Sequence, residues 1–409
     1  MFPVDKNSLV DIDFRLDWKS PGLRHVDLYH AAAVNVWRDW LSPRMIHSLM
    51  GSFPGDTFEL ELYPGDGIPR ILSSDRITIE RRNFGYDVPT KGVIHPRAGR
   101  FYPKGLLRHV SGVFPQNVTP FRCLEVEDAS FRVDLGHPFS GNTALLTATV
   151  GDIQAKTVDK GGSSVDWVGL LTDGPGMQVR WNGSATDFFS DNPFEREDER
   201  PDEQFYEHPR RVQHIDDTAI AQLQRLHGRH LADGMRILDL MGSWATHLPL
   251  GLKPSRLAVL GMNEAELSEN PRATDHVAHD LNQSPILPYP SRSFDAVICS
   301  VSIEYLIHPV SVLREVGRVL KPGGVCMVSF SDRWFPPKAI RIWKDLHDFE
   351  RMGLVLEYFF ASSAFTDLTT YSVRGWPRPV HDKYYGQRFL SDPIFMVFGK
   401  THLAPGDSQ

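Results

Sequence analysis

Residues 313–330 have the sequence Leu-Arg-Glu-Val-Gly-Arg-Val-Leu-Lys-Pro-Gly-Gly-Val-Cys-Met-Val-Ser-Phe. Apolar residues recur at helical spacing as far as Leu320, and Lys321-Pro-Gly-Gly324 is a strong signal for the end of a helix. The apolar run that follows, as far as Phe330, predicts a buried strand. A helix that leads through a turn into a buried strand is typical of an α/β fold.

The same alternation extends over the chain from about residue 205 onward. Apolar runs predict strands at Met235–Leu240, Arg256–Gly261, Phe294–Cys299 and Gly324–Phe330. Helical patterns cover Asp216–Leu231 and Pro309–Leu320, and two more apolar runs lie at Leu354–Phe360 and Ile394–Phe398. We therefore predict an α/β fold with a Rossmann-like, doubly wound parallel sheet, whose ligands bind at the carboxyl ends of the strands.

The first 150 residues have a different texture, with short β-prone runs broken by Gly and Pro. Such runs lie at Thr57–Tyr63, Arg76–Glu80, Phe131–Leu135 and Ala144–Val150, and one helical stretch lies near Arg44–Met50. This half is predicted to be a mostly-β domain. Residues 153–204 are rich in Gly, Ser and Asp and end in a run of mixed charges, so we expect a solvated linker there.

Composition and charge argue against several classes of protein. The 409 residues contain 44 Lys+Arg and 51 Asp+Glu, a net charge of −7, which argues against a nucleic-acid partner. No stretch approaches the roughly 18 apolar residues of a membrane-spanning helix, and no secretory signal is evident. Three cysteines exclude a disulfide framework and fit a cytoplasmic protein. No Cys/His cluster or carboxylate constellation indicates a metal.

The first strand of the α/β half ends in Asp239-Leu-Met-Gly-Ser-Trp244, which keeps a single glycine of the Gly-x-Gly-x-x-Gly pattern. A pyrophosphate needs a glycine-lined approach to a helix N-terminus, so NAD and FAD are disfavoured. A ligand without phosphates needs only one small residue for close backbone approach and a carboxylate nearby.

Two blocks further along resemble class I S-adenosylmethionine-dependent methyltransferases of type 11. They are Ile286-Leu-Pro-Tyr-Pro-Ser-Arg-Ser-Phe-Asp-Ala-Val297 and Leu313-Arg-Glu-Val-Gly-Arg-Val-Leu-Lys-Pro-Gly-Gly324. The resemblance covers about residues 205–402 and implies S-adenosylmethionine as the cofactor. The loop after Asp239 departs from the glycine-rich first motif of the family, which leaves a degenerate, non-binding domain as an alternative.

The resemblance also implies site residues. Those expected to bind the cofactor are Asp239, Leu240, Met241, Gly242, Ser243, Asn263, Asp280, Leu281, Cys299 and Arg211. Asp239 would lie beside the methionyl amine, and Asp280 would bind the exocyclic amine of adenine. Asn263 stands where the family usually has an acid that binds the ribose hydroxyls, so Asn263→Asp is expected to tighten binding. The alternative is that Asn263 only caps the following helix.

Two clusters are candidates for the methyl-transfer site. The segment before strand one, which commonly covers the cofactor in this class, contains Tyr206, Arg211 and His214; a capped helix start is the alternative. The ends of strands four and five contain Glu304, Tyr305, Arg333 and Trp334, for which plain packing is the alternative.

Two pieces of the N-terminal half resemble SlyD-like FKBP-type peptidyl-prolyl isomerases. They are Gly51-Ser-Phe-Pro-Gly-Asp-Thr-Phe-Glu-Leu60 and Val133-Asp-Leu-Gly-His-Pro-Phe-Ser-Gly-Asn142. The resemblance implies an FKBP-like domain over residues 1–152, with an inserted flap at about 73–127. A scaffold or docking role and a working isomerase are both open.

The sequence as a whole predicts a two-domain, S-adenosylmethionine-dependent methyltransferase. The favoured acceptor is a small thiol, hydrogen sulfide or methanethiol, because part of a thiol is already thiolate at neutral pH and sulfur is strongly nucleophilic. Alternatives are an oxygen, nitrogen or carbon acceptor, or a protein presented by the FKBP-like domain. A peptide-binding chaperone with a vestigial methyltransferase half is the rival from another class.

Overall fold

The computed structural model describes residues 2–85, 94–157 and 163–403. The strands are β1 (Ser8–Ser20), β2 (Leu23–Asn35), β3 (Thr57–Pro64), β4 (Gly67–Ile68), β5 (Arg76–Glu80), β6 (Phe101–Pro103), β7 (Pro120–Val126), β8 (Ser130–Asp134), β9 (Ala144–Ala155), β10 (Arg236–Leu240), β11 (Arg256–Gly261), β12 (Asp275–Ala278), β13 (Phe294–Ser300), β14 (Leu320–Phe330), β15 (Phe365–Arg374) and β16 (Ile394–Thr401). The helices are α1 (Pro43–Leu49), α2 (Trp167–Thr172), α3 (Asp202–Phe205), α4 (Asp217–Gly228), α5 (Glu264–Ser268), α6 (Pro309–Val319), α7 (Arg341–Lys344) and α8 (Asp348–Ser362).

The described residues form two compact units. The first unit comprises those within Met1–Pro21, Ala33–Pro193 and Leu346–Glu357. The second unit comprises those within Gly22–Ala32, Phe194–Asp345 and Tyr358–Gln409. Each unit therefore contains a piece of chain from the other half of the sequence, which short-range patterns did not indicate.

The second unit contains a central sheet with the strand order β12-β11-β10-β13-β14-β16-β15. The first five of these strands are parallel, as predicted. The strand β16 is antiparallel to both of its neighbours, because it returns from β15 and inserts between β14 and β15. Residues 24–29 of β2, which also belong to this unit, pair in parallel with β15.

Amphipathic helices accompany this sheet. Asp216 caps α4 by accepting a 3.0 Å hydrogen bond from the backbone N–H of Ala219. On α4, Leu223 and Leu226 are buried in the same core cluster as Ile237 and Ile298 of the sheet. The sequence patterns for α4 and α6 are confirmed to within three residues at each end.

One apolar run was interpreted wrongly. Leu354–Phe360 lies within α8 and is not a strand. Its residues are buried almost without exception, and a continuous apolar run has no periodicity by which to separate a buried helix from a buried strand.

The first unit is mostly β-structure. In β1, alternate side chains from Val10 to Trp18 are buried, and β1 pairs antiparallel with β9, which pairs antiparallel with β3. A separate four-stranded antiparallel sheet has the order β5-β8-β7-β6 and surrounds a small core that includes Phe121 and Phe131. This sheet covers the region of the predicted insertion at about 73–127.

The expected linker at 153–204 differs from the structure. Most of its described residues belong to the first unit, and Trp167, Val168 and Leu171 of α2 are buried. The apolar side chains explain the difference, because burying them stabilises a folded segment. No helix in the described part of the chain is long and apolar enough to cross a membrane.

Candidate functional site

The second unit contains a cavity of about 1030 Å³, its open mouth included, at the carboxyl ends of β10, β11 and β13. Side chains after each of these strands and after β12 line it. Asp202, Tyr206, Arg210 and His214 line it from residues 202–214, which we call the covering segment. The cavity therefore lies where a doubly wound sheet binds its ligands.

The backbone at two of these strand ends is unusual. Met241 after β10 and Val301 after β13 both have positive φ, 58° and 47°, and both line the cavity. A β-branched residue such as Val301 rarely adopts this conformation, and backbone strain of this kind concentrates at functional sites.

The ends of β10 and β11 approach each other closely. The N–H of Gly242 donates a 2.8 Å hydrogen bond to the carbonyl of Leu260. A Cβ atom on Gly261 would lie 2.1 Å from the carbonyl oxygen of Gly242, so a side chain cannot be accommodated there. Gly242, the single glycine that the sequence retains from the dinucleotide motif, belongs to this tight approach and lines the cavity.

Asp239 is a buried carboxyl group in the wall of the cavity, with 3% of its surface exposed. Burial raises its pKa to about 7, and the nearby Thr246 side chain opposes part of that effect. A carboxyl group in this state is stabilised as a carboxylate when a cationic ligand group approaches it. The geometry suits a ligand that carries an ammonium or sulfonium charge.

Asn263 is engaged on both sides of its amide. Its Oδ1 accepts a 3.1 Å hydrogen bond from the N–H of Glu266 and so caps α5. Its Nδ2 donates to the carbonyls of Tyr206 and Glu207, at 2.7 and 3.2 Å. Asn263 lines the cavity, but its amide is used to hold the covering segment, and the capping alternative is confirmed.

One carboxylate oxygen of Asp280 stabilises the turn after β12, and the other is not used in that turn. Its Oδ1 accepts hydrogen bonds from the N–H groups of Asn282 and Gln283, at 2.8 and 3.3 Å. Its Oδ2 has no hydrogen-bond partner among the described residues, and the side chain lines the cavity beside buried Leu281. This oxygen is an acceptor for a ligand N–H group.

The covering segment is anchored through Asp202. Asp202 accepts a 2.8 Å hydrogen bond from Asn282 Nδ2, and its carboxylate lies 2.8 Å from Arg196 Nη1 and 2.9 Å from Lys338 Nζ. Lys338 is fully buried. Burial alone would raise the pKa of Asp202, but these three hydrogen bonds together lower it, so the anchor is ionised at neutral pH.

One end of the cavity is aromatic. The rings of Tyr305 and Phe335 stack with centroids 6.1 Å apart, and the His214 ring meets Phe335 edge-on at 5.1 Å. Burial is the largest effect on His214 and lowers its pKa, while burial raises the pKa of Tyr206 and of Tyr305. At neutral pH these three side chains are therefore uncharged.

Several expected residues line the cavity, and others do not. Those that line it are Tyr206, His214, Asp239, Met241, Gly242, Ser243, Asn263, Asp280, Leu281 and Tyr305. Leu240 and Cys299 are buried residues outside the lining, and the next residue along each strand, Met241 and Ser300, lines the cavity instead. Side chains of a strand alternate between its two faces, which explains the offset of one residue.

Four other expected residues lie elsewhere. Arg211 is exposed and forms a bidentate ion pair with Glu269. Arg333 lies 3.8 Å from the buried carboxylate of Asp392, with its guanidinium over the Tyr384 ring. Trp334 is half-buried and Glu304 is buried, and neither side chain lines the cavity.

Sequence reasoning missed Arg210, Asp202 and Asn282, all of which line the cavity. Arg210 adjoins the expected Arg211, and Asn282 follows Asp280 by two residues. Their positions beside expected residues were the available signal. Which of two neighbouring side chains faces inward depends on tertiary contacts.

Part of the chain that lines the cavity matches a known protein family. Residues 252–328 match the family model described as a methyltransferase domain, a segment that contains Asn263 and Asp280 and begins after Asp239. This match confirms the prediction of an S-adenosylmethionine-dependent methyltransferase domain in the second half of the sequence.

Two curated proteins resemble the same region. A ubiquinone/menaquinone biosynthesis C-methyltransferase of Laribacter hongkongensis is 37% identical over 70 residues, 17% of this chain and 28% of that protein. A malonyl-(acyl-carrier protein) O-methyltransferase of a Marinomonas species is 31% identical over 81 residues, 20% of this chain and 28% of that protein. The chain spans about 28% of the length of these relatives.

Solved structures are similar at low identity. An S-adenosylmethionine-dependent methyltransferase from Mesorhizobium loti is 16% identical, with a TM-score of 0.29, and the match covers 43% of this chain and 96% of that one.

Proposed function

We propose that this chain is an S-adenosylmethionine-dependent methyltransferase that binds its cofactor in the cavity at the ends of β10–β13. One observation carries the proposal. Asp239 and Asp280, from the ends of two different strands, line one cavity beside the close approach of Gly242 and Gly261. The family match over residues 252–328 supports the same reading.

The residues present fit this cofactor. Asp239, whose pKa burial raises to about 7, is suited to hold the methionyl ammonium group. The Oδ2 atom of Asp280 is suited to accept a hydrogen bond from the exocyclic amine of adenine, with Leu281 against the ring. We assign Asn263 to holding the covering segment in place, because its amide nitrogen donates to the carbonyl of Tyr206, and we propose no ribose contact for it.

When bound, the cofactor supplies an electrophilic methyl group on a sulfonium. The chain's own residues position the acceptor and exclude water. The uncharged rings of Tyr305 and Phe335 provide an apolar surface for an acceptor. The covering segment, fixed through Asp202, closes the cavity over the reacting groups, and closure strengthens electrostatic interactions inside it.

The favoured acceptor remains a small thiol of the hydrogen sulfide or methanethiol kind. The apolar, aromatic end of the cavity supports a compact acceptor of this sort. Arg333, a sequence candidate for the methyl-transfer site, lies against Asp392 outside the lining and does not support the thiol.

One observation favours an oxygen or carbon acceptor as a second candidate. His214 lines the cavity, and burial keeps its imidazole neutral at pH 7, so it is able to accept a proton from a weaker acid.

For the first unit we propose an FKBP-like, SlyD-like domain that acts as a scaffold and presents a protein substrate. The mostly-β architecture with a separate four-stranded sheet at residues 76–134 supports it. A vestigial methyltransferase unit beside a peptide-binding chaperone is the competing function.

Calorimetric titration with S-adenosylmethionine tests the proposal first. We expect micromolar binding by the native chain, a large loss in Asp239→Ala, and unchanged binding in Asp217→Ala, which removes an exposed carboxylate of α4. An absence of binding by the native chain would favour the vestigial reading.

A tritiated cofactor then identifies the acceptor class. Dimethyl sulfide in the headspace after incubation with methanethiol supports the thiol. Label on a phenol, an enol or a protein band, with no dimethyl sulfide, contradicts it.

A further inference from the structure

Arg210 carries a charge that forms no ion pair with any residue that the structure describes. Its guanidinium lies over the Phe205 ring at 4.0 Å and over the Phe335 ring at 5.0 Å, and its Nη2 donates a 3.0 Å hydrogen bond to the carbonyl of Phe205. Its Nη1 is shielded from solvent and has no hydrogen-bond partner. Within the described ranges, no carboxylate oxygen lies within 4.0 Å of this guanidinium.

The other charges of the cavity lining are acidic. They belong to Asp202, Asp239, Glu266 and Asp280, and Arg210 is the single Lys or Arg among the lining residues that the structure describes. Asp202 is already paired with Arg196 and Lys338. Glu266 accepts hydrogen bonds from the backbone N–H of Arg210 and from the hydroxyl of Ser243.

Arg210 is partly buried, and a partly buried cation without an anion is costly because burial removes part of the water that would solvate it. The cost is offset when a ligand brings an oxyanion or a thiolate to the free N–H groups, since hydrogen bonds between charged groups are strong. Arginine suits this task because its charge persists at every physiological pH.

The position of the guanidinium indicates which ligand brings the anion. The backbone of Arg210 is held by Glu266 of α5, near the proposed cofactor residues. Its guanidinium reaches the rings of Tyr206 and Phe335, on the side of the cavity where Tyr305 and His214 lie. This side is the aromatic surface that we assign to the acceptor.

We propose that Arg210 binds the methyl acceptor through a negative charge, so that the acceptor is a small anion with an apolar body that rests on Phe335. A thiolate, a phenolate and a carboxylate share this chemistry. The inference rests on the proposed methyl transfer, because it assigns one end of the cavity to the acceptor.

The test uses a matched pair of probes, benzoate and benzamide, which have nearly the same shape and differ in charge. Both are titrated calorimetrically into the full chain in the presence of S-adenosylhomocysteine, and again without it. We expect benzoate to bind about 10- to 100-fold more tightly than benzamide. In Arg210→Gln the preference should disappear, in Arg210→Lys part of it should remain, and in the control Arg211→Gln it should be unchanged.

A second comparison separates the acceptor from the cofactor, which also carries a carboxylate. S-Adenosylhomocysteine has the carboxylate, and 5′-methylthioadenosine lacks it. If Arg210→Gln weakens only S-adenosylhomocysteine and leaves the benzoate preference intact, Arg210 serves the cofactor and the proposal is overturned. Equal binding of benzoate and benzamide by the native chain overturns it as well.

Failure of the proposed function would give a different result from failure of the Arg210 proposal. The native chain would then bind neither S-adenosylhomocysteine nor 5′-methylthioadenosine, while the benzoate titration without nucleoside would still report on Arg210.

Discussion

The carboxylate of Asp202, on the covering segment, accepts a hydrogen bond of 2.8 Å from Nδ2 of Asn282, in the loop after β12. Asn282 Nδ2 also donates to the carbonyl of Tyr305 at 2.9 Å. One amide thus joins the covering segment, the loop proposed to hold adenine and the loop after β13. The closure of the cavity depends on this connection.

Asn282→Asp replaces the shared donor with an acceptor and places a second negative charge beside Asp202. We expect the covering segment to be released and the affinity for S-adenosylhomocysteine to fall by about 1–3 kcal/mol. Calorimetry measures the loss. Gln387→Glu, which adds a negative charge on an exposed side chain between β15 and β16, is the control and should bind normally.

The substitution Asp280→Asn tests the adenine-binding role of this carboxylate separately from its role in the turn. The amide oxygen still accepts from the N–H groups of Asn282 and Gln283, so the turn persists, but a donor now faces the adenine amine. We expect a loss of about 1–3 kcal/mol in cofactor affinity with an unchanged unfolding midpoint. Asp280→Ala should also lower the stability, because it removes the turn. A cofactor affinity equal to that of the native chain would contradict the assignment of adenine.

Asn263→Asp is expected to weaken cofactor binding, which reverses the expectation from sequence. The new carboxylate would face the carbonyl oxygens of Tyr206 and Glu207, to which Asn263 now donates. Hydrogen exchange should show faster opening of the covering segment at residues 206–214. A tighter complex would instead show that the side chain turns toward the ribose.

Asp239 should make cofactor binding depend on pH. Its pKa is about 7 in the free protein, and a cationic ligand group lowers it, so binding releases a proton below pH 7. The affinity for S-adenosylmethionine should therefore rise as the pH rises toward 7 and then level off. In Asp239→Asn the affinity should be lower and should lose this dependence. Calorimetry at pH 6 in two buffers of different ionisation enthalpy counts the protons released.

His227 should make the second unit sensitive to acid. It is fully buried, its Nδ1 is hydrogen-bonded to the carbonyl of His247, and burial lowers its pKa to about 4. The unfolded chain takes up the proton first, near pH 6.5. Stability is thus complete above pH 6.5 and declines as the pH falls toward 4, by roughly 3 kcal/mol from this group.

His227→Asn keeps a donor for the carbonyl of His247 and cannot be protonated. Denaturant unfolding at a series of pH values should show a shallower decline in this variant between pH 6.5 and 4. The control His208→Asn removes an exposed histidine and should decline as steeply as the native chain. If the free energy of unfolding declines equally with pH in all three proteins, His227 is not the cause of the acid sensitivity.

The elements of the second unit follow from local patterns because each strand and helix buries one continuous apolar surface. Arg236–Leu240 and Phe294–Ser300 lie within two residues of the predicted strands. The helix α6 ends at Val319, one residue before its predicted end, and β14 begins at Leu320, so Lys321-Pro-Gly-Gly324 belongs to the strand. Asp239 and Asp280, which the family resemblance implied, both line the cavity, because they follow parallel strands whose ends meet at one edge of the sheet.

Side-chain direction in irregular segments was decided by contacts that are distant in sequence. Arg210 faces the cavity and Arg211 faces Glu269 because α5 holds the backbone of Arg210 through Glu266. The amide of Asn263 is directed by carbonyls 56 and 57 residues earlier.

The sequence by itself determined the succession of strands and helices, and with it the edge of the sheet where a ligand binds, because periodicity and turn residues act over a few positions. The tertiary structure alone decided which neighbouring side chains enter the cavity, that Leu354–Phe360 is helical and that β16 runs antiparallel. These features depend on hydrogen bonds, charge pairs and burial between segments that are far apart in the chain, and no local pattern encodes them.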